Sequence, residues 1–171
     1  METNQDPTAA APQLGRYEID TEGSAVTFGT RHLFGLAPVR GALAIRAGIV
    51  DVAEPLDAST IYAEIETASF RTGNRQRDAS VRSPRFLDAG RHPLVTFHSE
   101  RIDRAAITGT LTVRGVTRPV RLTVEQADVS PRSFTVRAAT RIDRAEFGVT
   151  ASRGLAGRYL DVTLEIRCLR K

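Results

Sequence analysis

The sequence predicts an all-β fold, an antiparallel sandwich or closed barrel with one short helical insert near residues 74–89. Three observations lead there. Apolar and polar residues alternate with a period of two over most of the chain, as half-buried strands require. Gly, Pro, Asp and Asn recur between the alternating runs, which divides the chain into eight or nine short strands. Only the stretch from Thr67 to Ser99 departs from this pattern. It carries Arg71, Arg75, Arg77, Arg82 and Arg85 together with Phe70 and Phe86. A charged, partly helical insert in a β chain sits at one end of a barrel or sandwich, where functional residues concentrate.

Residues 1–14 are polar and poor in large apolar groups, so they read as a disordered tail, and a single domain occupies 15–171. Tyr17 to Asp20 opens a first strand, and Glu22-Gly23 turns it. Ala25 to Arg31 is the second strand, with Val26 and Phe28 on one face. An apolar segment from His32 to Pro38 includes Phe34. Val39 to Val52 reads as one long strand or as a hairpin turned at Ala47-Gly48. Ser59 to Phe70 places Ile61, Ala63 and Ile65 on one face and Tyr62, Glu64 and Glu66 on the other.

The insert has its own local signals. Thr72-Gly73-Asn74 supplies a turn and a side-chain acceptor for the free N–H groups of a helix over Arg75–Arg82. Ser83-Pro84 repeats the device, with Ser83 as a second N-cap, Pro84 at the first helical position and Gly90 at the end. His92-Pro93 then forces extended backbone.

The remaining strands follow at short spacing. Pro93 to Ile102 carries Val95 and Phe97 on one face. Ile107 to Val113 turns Ile107, Leu111 and Val113 inward with threonines outward. Gly109 is inward and bare, which leaves room in a barrel or marks a bend. Pro119 begins a run with Val120, Leu122 and Val124 inward, and Asp128 to Arg132 turns it. Ser133 to Ile142 puts Phe134, Val136, Ala138, Thr140 and Ile142 inward. A glycine-bearing loop containing Asp143, Arg144 and Phe147 precedes the last strand, Arg158 to Leu169. The inward set mixes large residues with Ala63, Gly109, Ala138 and Thr140, and this mixture permits an elongated cavity where a packed core would need few gaps.

Composition narrows the chemistry. The formal charge is +4, and Lys171 is the only lysine, so the positive charge is arginine. That balance reads either as an anion-binding surface or as solvated strand faces on which arginine replaces lysine. The arginines recur along many strands and form no single stripe, so no nucleic-acid partner is expected. Cys168 is the only cysteine and lies in phase with Leu160, Val162, Leu164 and Ile166, so it reads as a small buried hydrophobe. The histidines, His32, His92 and His98, have no metal-binding spacing, and no metal is expected. His32 reads as a structural or ligand-contacting imidazole. The N-terminus lacks the apolar core of a secretory signal, which gives a cytoplasmic expectation, and no apolar run reaches the length of a membrane span, so no stable membrane insertion is expected. No nucleophile elbow or phosphate-binding loop is present, and neither an enzymatic activity nor a cofactor is expected.

Five motifs together resemble the YceI-like family. They are Tyr17-x-Ile19-Asp20 with Val26-x-Phe28-x-x-x-His32, then TGNRQRD followed by Phe86, then Pro93 to Phe97, then Gly109 to Val120, and Ile142-Asp143-Arg144-x-x-Phe147-Gly148. They occur in order over about residues 15–169. The resemblance implies an eight-stranded lipocalin-like barrel that binds long isoprenoid chains, such as polyprenyl phosphates or isoprenoid quinones, as carrier or store. It carries Phe28, His32, Thr72, Asn74, Arg77, Asp78, Phe86, Phe97, Asp143, Arg144 and Phe147 into family positions. The expected ligand-binding set is Phe28, His32, Phe34, Ile65, Phe70, Arg77, Phe86, Phe97, Leu111, Phe134 and Phe147. The resemblance also implies a homodimer. The alternatives are an enzyme acting on such a lipid and a structural or stress-response protein with a packed core.

Overall fold

A computed structural model describes residues 11–32, 37–152 and 157–171. The strands are β1 (Gly15–Ile19), β2 (Ala25–His32), β3 (Ala37–Val52), β4 (Thr60–Arg71), β5 (Leu94–Ile102), β6 (Ala106–Val113), β7 (Val116–Ser130), β8 (Ser133–Asp143) and β9 (Tyr159–Arg170). One helix, α1 (Arg75–Arg82), lies between β4 and β5. Each strand from β3 to β9 pairs antiparallel with the next, and the sheet closes on itself.

Nine strands make eight staves because β1 and β2 share one position between β3 and β9. In one half of that slot β1 pairs Tyr17 with Val50 and Ile19 with Cys168. In the other half β2 pairs Val26 with Leu43 and Phe28 with Val162. The break between the two halves is stitched to Arg167 of β9. The Asp20 N–H donates to the Arg167 carbonyl at 2.8 Å, and the Arg167 N–H donates to Ser24 Oγ at 2.9 Å. The barrel is thus the closed alternative of the two sheet architectures, and its strands have no wholly free edge.

The long third strand is continuous, which resolves the hairpin alternative at Ala47-Gly48. Gly48 lies in mid-strand because a Cβ there would meet Ile19 Cδ1 at 2.2 Å. The second helix expected after Ser83 does not form. Ser83 instead ends α1, and its carbonyl accepts from the N–H groups of both Phe86 and Asp88, winding the chain into turns. The β7–β8 hairpin also turns later than expected, since Val129 pairs with Phe134 and packs on the core. The loop before β9 contains a 3₁₀ turn, Arg144–Phe147, capped by the Asp143 side chain on the Ala145 N–H.

The two ends differ. At one end Tyr17 and Phe134 meet edge to face, with centroids 4.8 Å apart, and pack with Val50, Val52 and Cys168 into a floor. Gln13 and Leu14 are held against this end, where Gln13 accepts from the Tyr17 hydroxyl at 2.8 Å and Leu14 from Arg170 at 3.0 Å. At the other end the α1 segment, the β6–β7 turn and the segment before β9 come together. Phe86, Phe147 and Val149 form a small cluster there on the inner face of β6 and β7.

Candidate ligand-binding site

Inward residues of all the staves enclose a cavity of about 790 Å³. Its walls are aliphatic and aromatic, with Ala63 and Ala138 as small positions and Cys168 near the floor. Burial raises the Cys168 thiol to about 12, so it remains neutral and behaves as a small apolar group. Two glycines let aromatic rings lie flat along the wall. A Cβ at Gly41 would meet Phe28 Cζ at 2.3 Å, and one at Gly109 would meet Phe97 Cζ at 2.8 Å. The bare inward position at Gly109 therefore accommodates a neighbouring ring. Phe28 in turn stacks on Phe70 with centroids 5.1 Å apart.

The end opposite the floor is polar. Thr30, Thr72, Asn74, Gln76, Arg77, Ser80, Arg144 and Ser152 line the cavity there. Four neighbours on one face of α1, Gln76, Arg77, Ser80 and Val81, point into it. That face was readable from helical spacing, yet only Arg77 was singled out. Asn74 caps the helix as expected, its side-chain oxygen accepting from the Arg77 N–H at 3.0 Å.

Nine of the eleven residues singled out from the sequence line this cavity: Phe28, Ile65, Phe70, Arg77, Phe86, Phe97, Leu111, Phe134 and Phe147. Phe34 and the side chain of His32 lie outside the described residues. Phe86 and Phe147 come together at the polar end, whereas Phe134 belongs to the floor.

The arginines of this end divide by what they touch. Arg82 donates through two nitrogens to the Phe70 carbonyl. Arg114 donates to the Phe86 carbonyl at 3.0 Å. Arg144 donates to the carbonyls of Gly157 and Val149 and lies over the Phe86 ring. These three fasten loops to the barrel. Arg77 differs, because its Nε is buried at the cavity and has no hydrogen-bond partner among the described residues. Buried polar atoms are nearly always paired, so an unpaired guanidinium nitrogen in a cavity-lining residue is exceptional. Thr67 Oγ1 is likewise unpaired.

Among the described residues, no three His, Cys, Asp or Glu side chains gather as metal ligands would. No helix there is long and apolar enough to cross a membrane. The outer Tyr62 donates to Glu64 at 2.8 Å and packs on His98, away from the lumen.

A closed antiparallel barrel with a floor, an apolar lumen and a polar rim belongs to the class of β-barrels built around an internal ligand cavity. The model of the YceI-like domain matches residues 17–168, and the chain belongs to that family. It is 27% identical over 168 residues to a UPF0312 protein of Vibrio campbellii, covering 91% of this chain and 87% of that one. It is 28% identical over 169 residues to a UPF0312 protein of Azotobacter vinelandii, with the same coverage. Among solved structures, Burkholderia cenocepacia BcnA superposes with a TM-score of 0.71 at 22% identity, over 87% of this chain and 98% of that one. A polyisoprenoid binding domain from Saccharophagus degradans, implicated in plant cell wall breakdown, gives 0.71 at 15% identity, over 93% and 100% of the two chains. At these identities the structural likeness concerns the fold.

Proposed function

We propose that the barrel binds a long-chain isoprenoid lipid, with the chain in the lumen and the head group at the polar end, and serves as a carrier or store. The observation that carries this reading is the 790 Å³ apolar cavity, floored at one end and rimmed by polar groups at the other. At ~30 Å³ for each water-sized group, such a volume takes on the order of 25 methylene-sized groups. Each buried CH₂ contributes about 0.8 kcal/mol before ordering costs, so several isoprene units give tight binding. The polyisoprenoid binding domain of Saccharophagus degradans, which shares the fold, supports the same ligand class.

Between a polyprenyl phosphate and an isoprenoid quinone, Arg77 favours the phosphate. The Arg77 guanidinium stands at the cavity, and a guanidinium forms charge-assisted bonds with phosphate oxygens. In this reading the protein is a binding protein and not an enzyme. A second copy would dock through barrel faces, because the strands pair on both sides.

Native mass spectrometry of gently purified protein, with lipid extraction from the same sample, tests the reading. A discrete added mass that matches an isoprenoid is the expected result, and the same spectrum reports the monomer or dimer. Bare protein after incubation with polyprenyl phosphates and quinones would overturn it.

A further inference from the structure

Positive charge is concentrated at one end of the barrel axis. From Arg71 to Arg91 the rim segment carries six arginines (Arg71, Arg75, Arg77, Arg82, Arg85 and Arg91) against two aspartates, Asp78 and Asp88. Both aspartates are buried, whereas Arg71, Arg75, Arg85 and Arg91 are exposed. None of these six arginines forms an ion pair within 4 Å among the described residues, although the outer walls and the floor end hold several. The floor end has no such excess: Glu54, Asp57, Asp103 and Asp128 stand against Arg104, Arg132, Arg170 and Lys171 over residues 53–59, 103–105, 128–132 and 170–171. The same rim holds Tyr159, 47% exposed, at the start of β9.

We propose that this rim is a docking surface for an anionic lipid bilayer, which it meets with the cavity mouth facing the membrane. Exposed arginines free of ion pairs around an apolar cavity complement anionic head groups, and the asymmetry between this end and the balanced floor end orients the barrel in the surface field. Tyr159 adds an amphipathic ring of the kind that settles at membrane interfaces. The contact is peripheral and depends on salt, since it rests on exposed charge. It goes beyond the lipid-binding reading, because the charged rim would attract a membrane whatever fills the lumen.

The test is vesicle co-sedimentation at low salt, with equimolar phosphatidylglycerol and phosphatidylcholine against phosphatidylcholine alone. Wild-type protein is expected to sediment with the anionic vesicles only and to release as salt rises. A variant carrying Arg71→Gln, Arg75→Gln and Arg91→Gln should lose about fivefold in partitioning per arginine, roughly a hundredfold together. Arg104→Gln with Arg132→Gln, at the other end, should leave partitioning unchanged. Equal partitioning of the rim variant, equal binding to neutral vesicles, or displacement from anionic vesicles by nucleic acid would each overturn the proposal. Isoprenoid loading in detergent solution, measured on the same variants, keeps the two ideas separate. A rim variant that loads lipid but does not sediment supports docking, and vesicle binding by a protein that loads no isoprenoid leaves docking standing while the lipid reading fails.

Discussion

Asp78 binds Thr72 twice, accepting from its backbone N–H at 3.0 Å and from its hydroxyl at 2.6 Å. This clamp fixes the turn that launches α1, so it sets where Arg77 stands relative to the lumen. Burial pushes the Asp78 carboxyl up, but the Thr72 hydrogen bonds, with Arg82 and Arg77 nearby, outweigh it and hold the group below the usual carboxylate range. Asp78→Ala leaves the Thr72 N–H without its acceptor and should cost about 2 kcal/mol in urea denaturation. Asp78→Asn keeps one acceptor and should cost about half as much. Wild-type stability in both variants would refute the clamp.

The carboxylates also set the acid limit of the fold. Asp143 and Asp161 are lowered by hydrogen bonds from Arg158 and Arg141, and Asp103 by the backbone N–H groups of Ala106 and Ala105. A carboxylate depressed in the folded state adds stability that is full above its unfolded value, about 3.9, and is lost as pH falls through the folded value. Melting temperature should therefore stay level from neutral pH to about pH 5 and fall below about pH 4. The fall should be shallow, because these pairs are largely exposed and screened. A melting temperature that rises on acidification would contradict the assignment.

Cys168 carries the opposite sign. Its folded value is raised to about 12, so its contribution is full below the ordinary thiol value, near 8.5, and is lost as pH rises toward the folded one. A thiol reagent should leave native protein unmodified at pH 8 and label it only on unfolding. Rapid labelling of the native state would show that the floor opens.

Two glycines separate close packing from open space. A Cβ at Gly109 would stand 2.2 Å from the His98 carbonyl oxygen, whereas one at Gly29 would meet only the Val39 oxygen, at 4.0 Å. Gly109→Ala should destabilise by about 1–3 kcal/mol, and Gly29→Ala should be neutral or slightly stabilising. Calorimetry on the pair checks both, and equal melting temperatures would refute the contrast.

Filling the lumen tests ligand contact directly. Ala63→Phe and Ala138→Phe place rings where the cavity already has room, so the barrel should still fold while isoprenoid occupancy falls. Circular dichroism and extracted-lipid mass spectrometry read the two effects separately. Unchanged occupancy in both variants would remove these positions from the binding surface. Arg77→Met removes the unpaired buried nitrogen, so the lipid-free barrel should be as stable or more stable while release of a phosphate-headed lipid quickens.

Much of this was written in the alternation. The inward residues of β4, β6, β8 and β9 were readable from period two alone, and Asn74 announced the start of α1. The closure was not readable, because period two is the same in a sandwich and in a barrel. The shared stave of β1 and β2 depends on Asp20 and Ser24 meeting Arg167, more than 140 residues away in the chain. The arginine roles were hidden for a similar reason. Arg82, Arg114 and Arg144 look alike as letters, but their acceptors are backbone carbonyls brought in by tertiary folding. Ser83 misled because the same residue suits either end of a helix.

The shared stave has a consequence for how the chain is made. The first two described strands, β1 and β2, close against β9, far along the chain. During synthesis β1 and β2 must wait with an unpaired side until residues 159–170 emerge. Such non-local pairing slows folding, and the waiting edges of β2 and β8 invite pairing with other chains. A stop codon placed before Tyr159 should therefore yield aggregate, although the residues removed form only one of the nine strands.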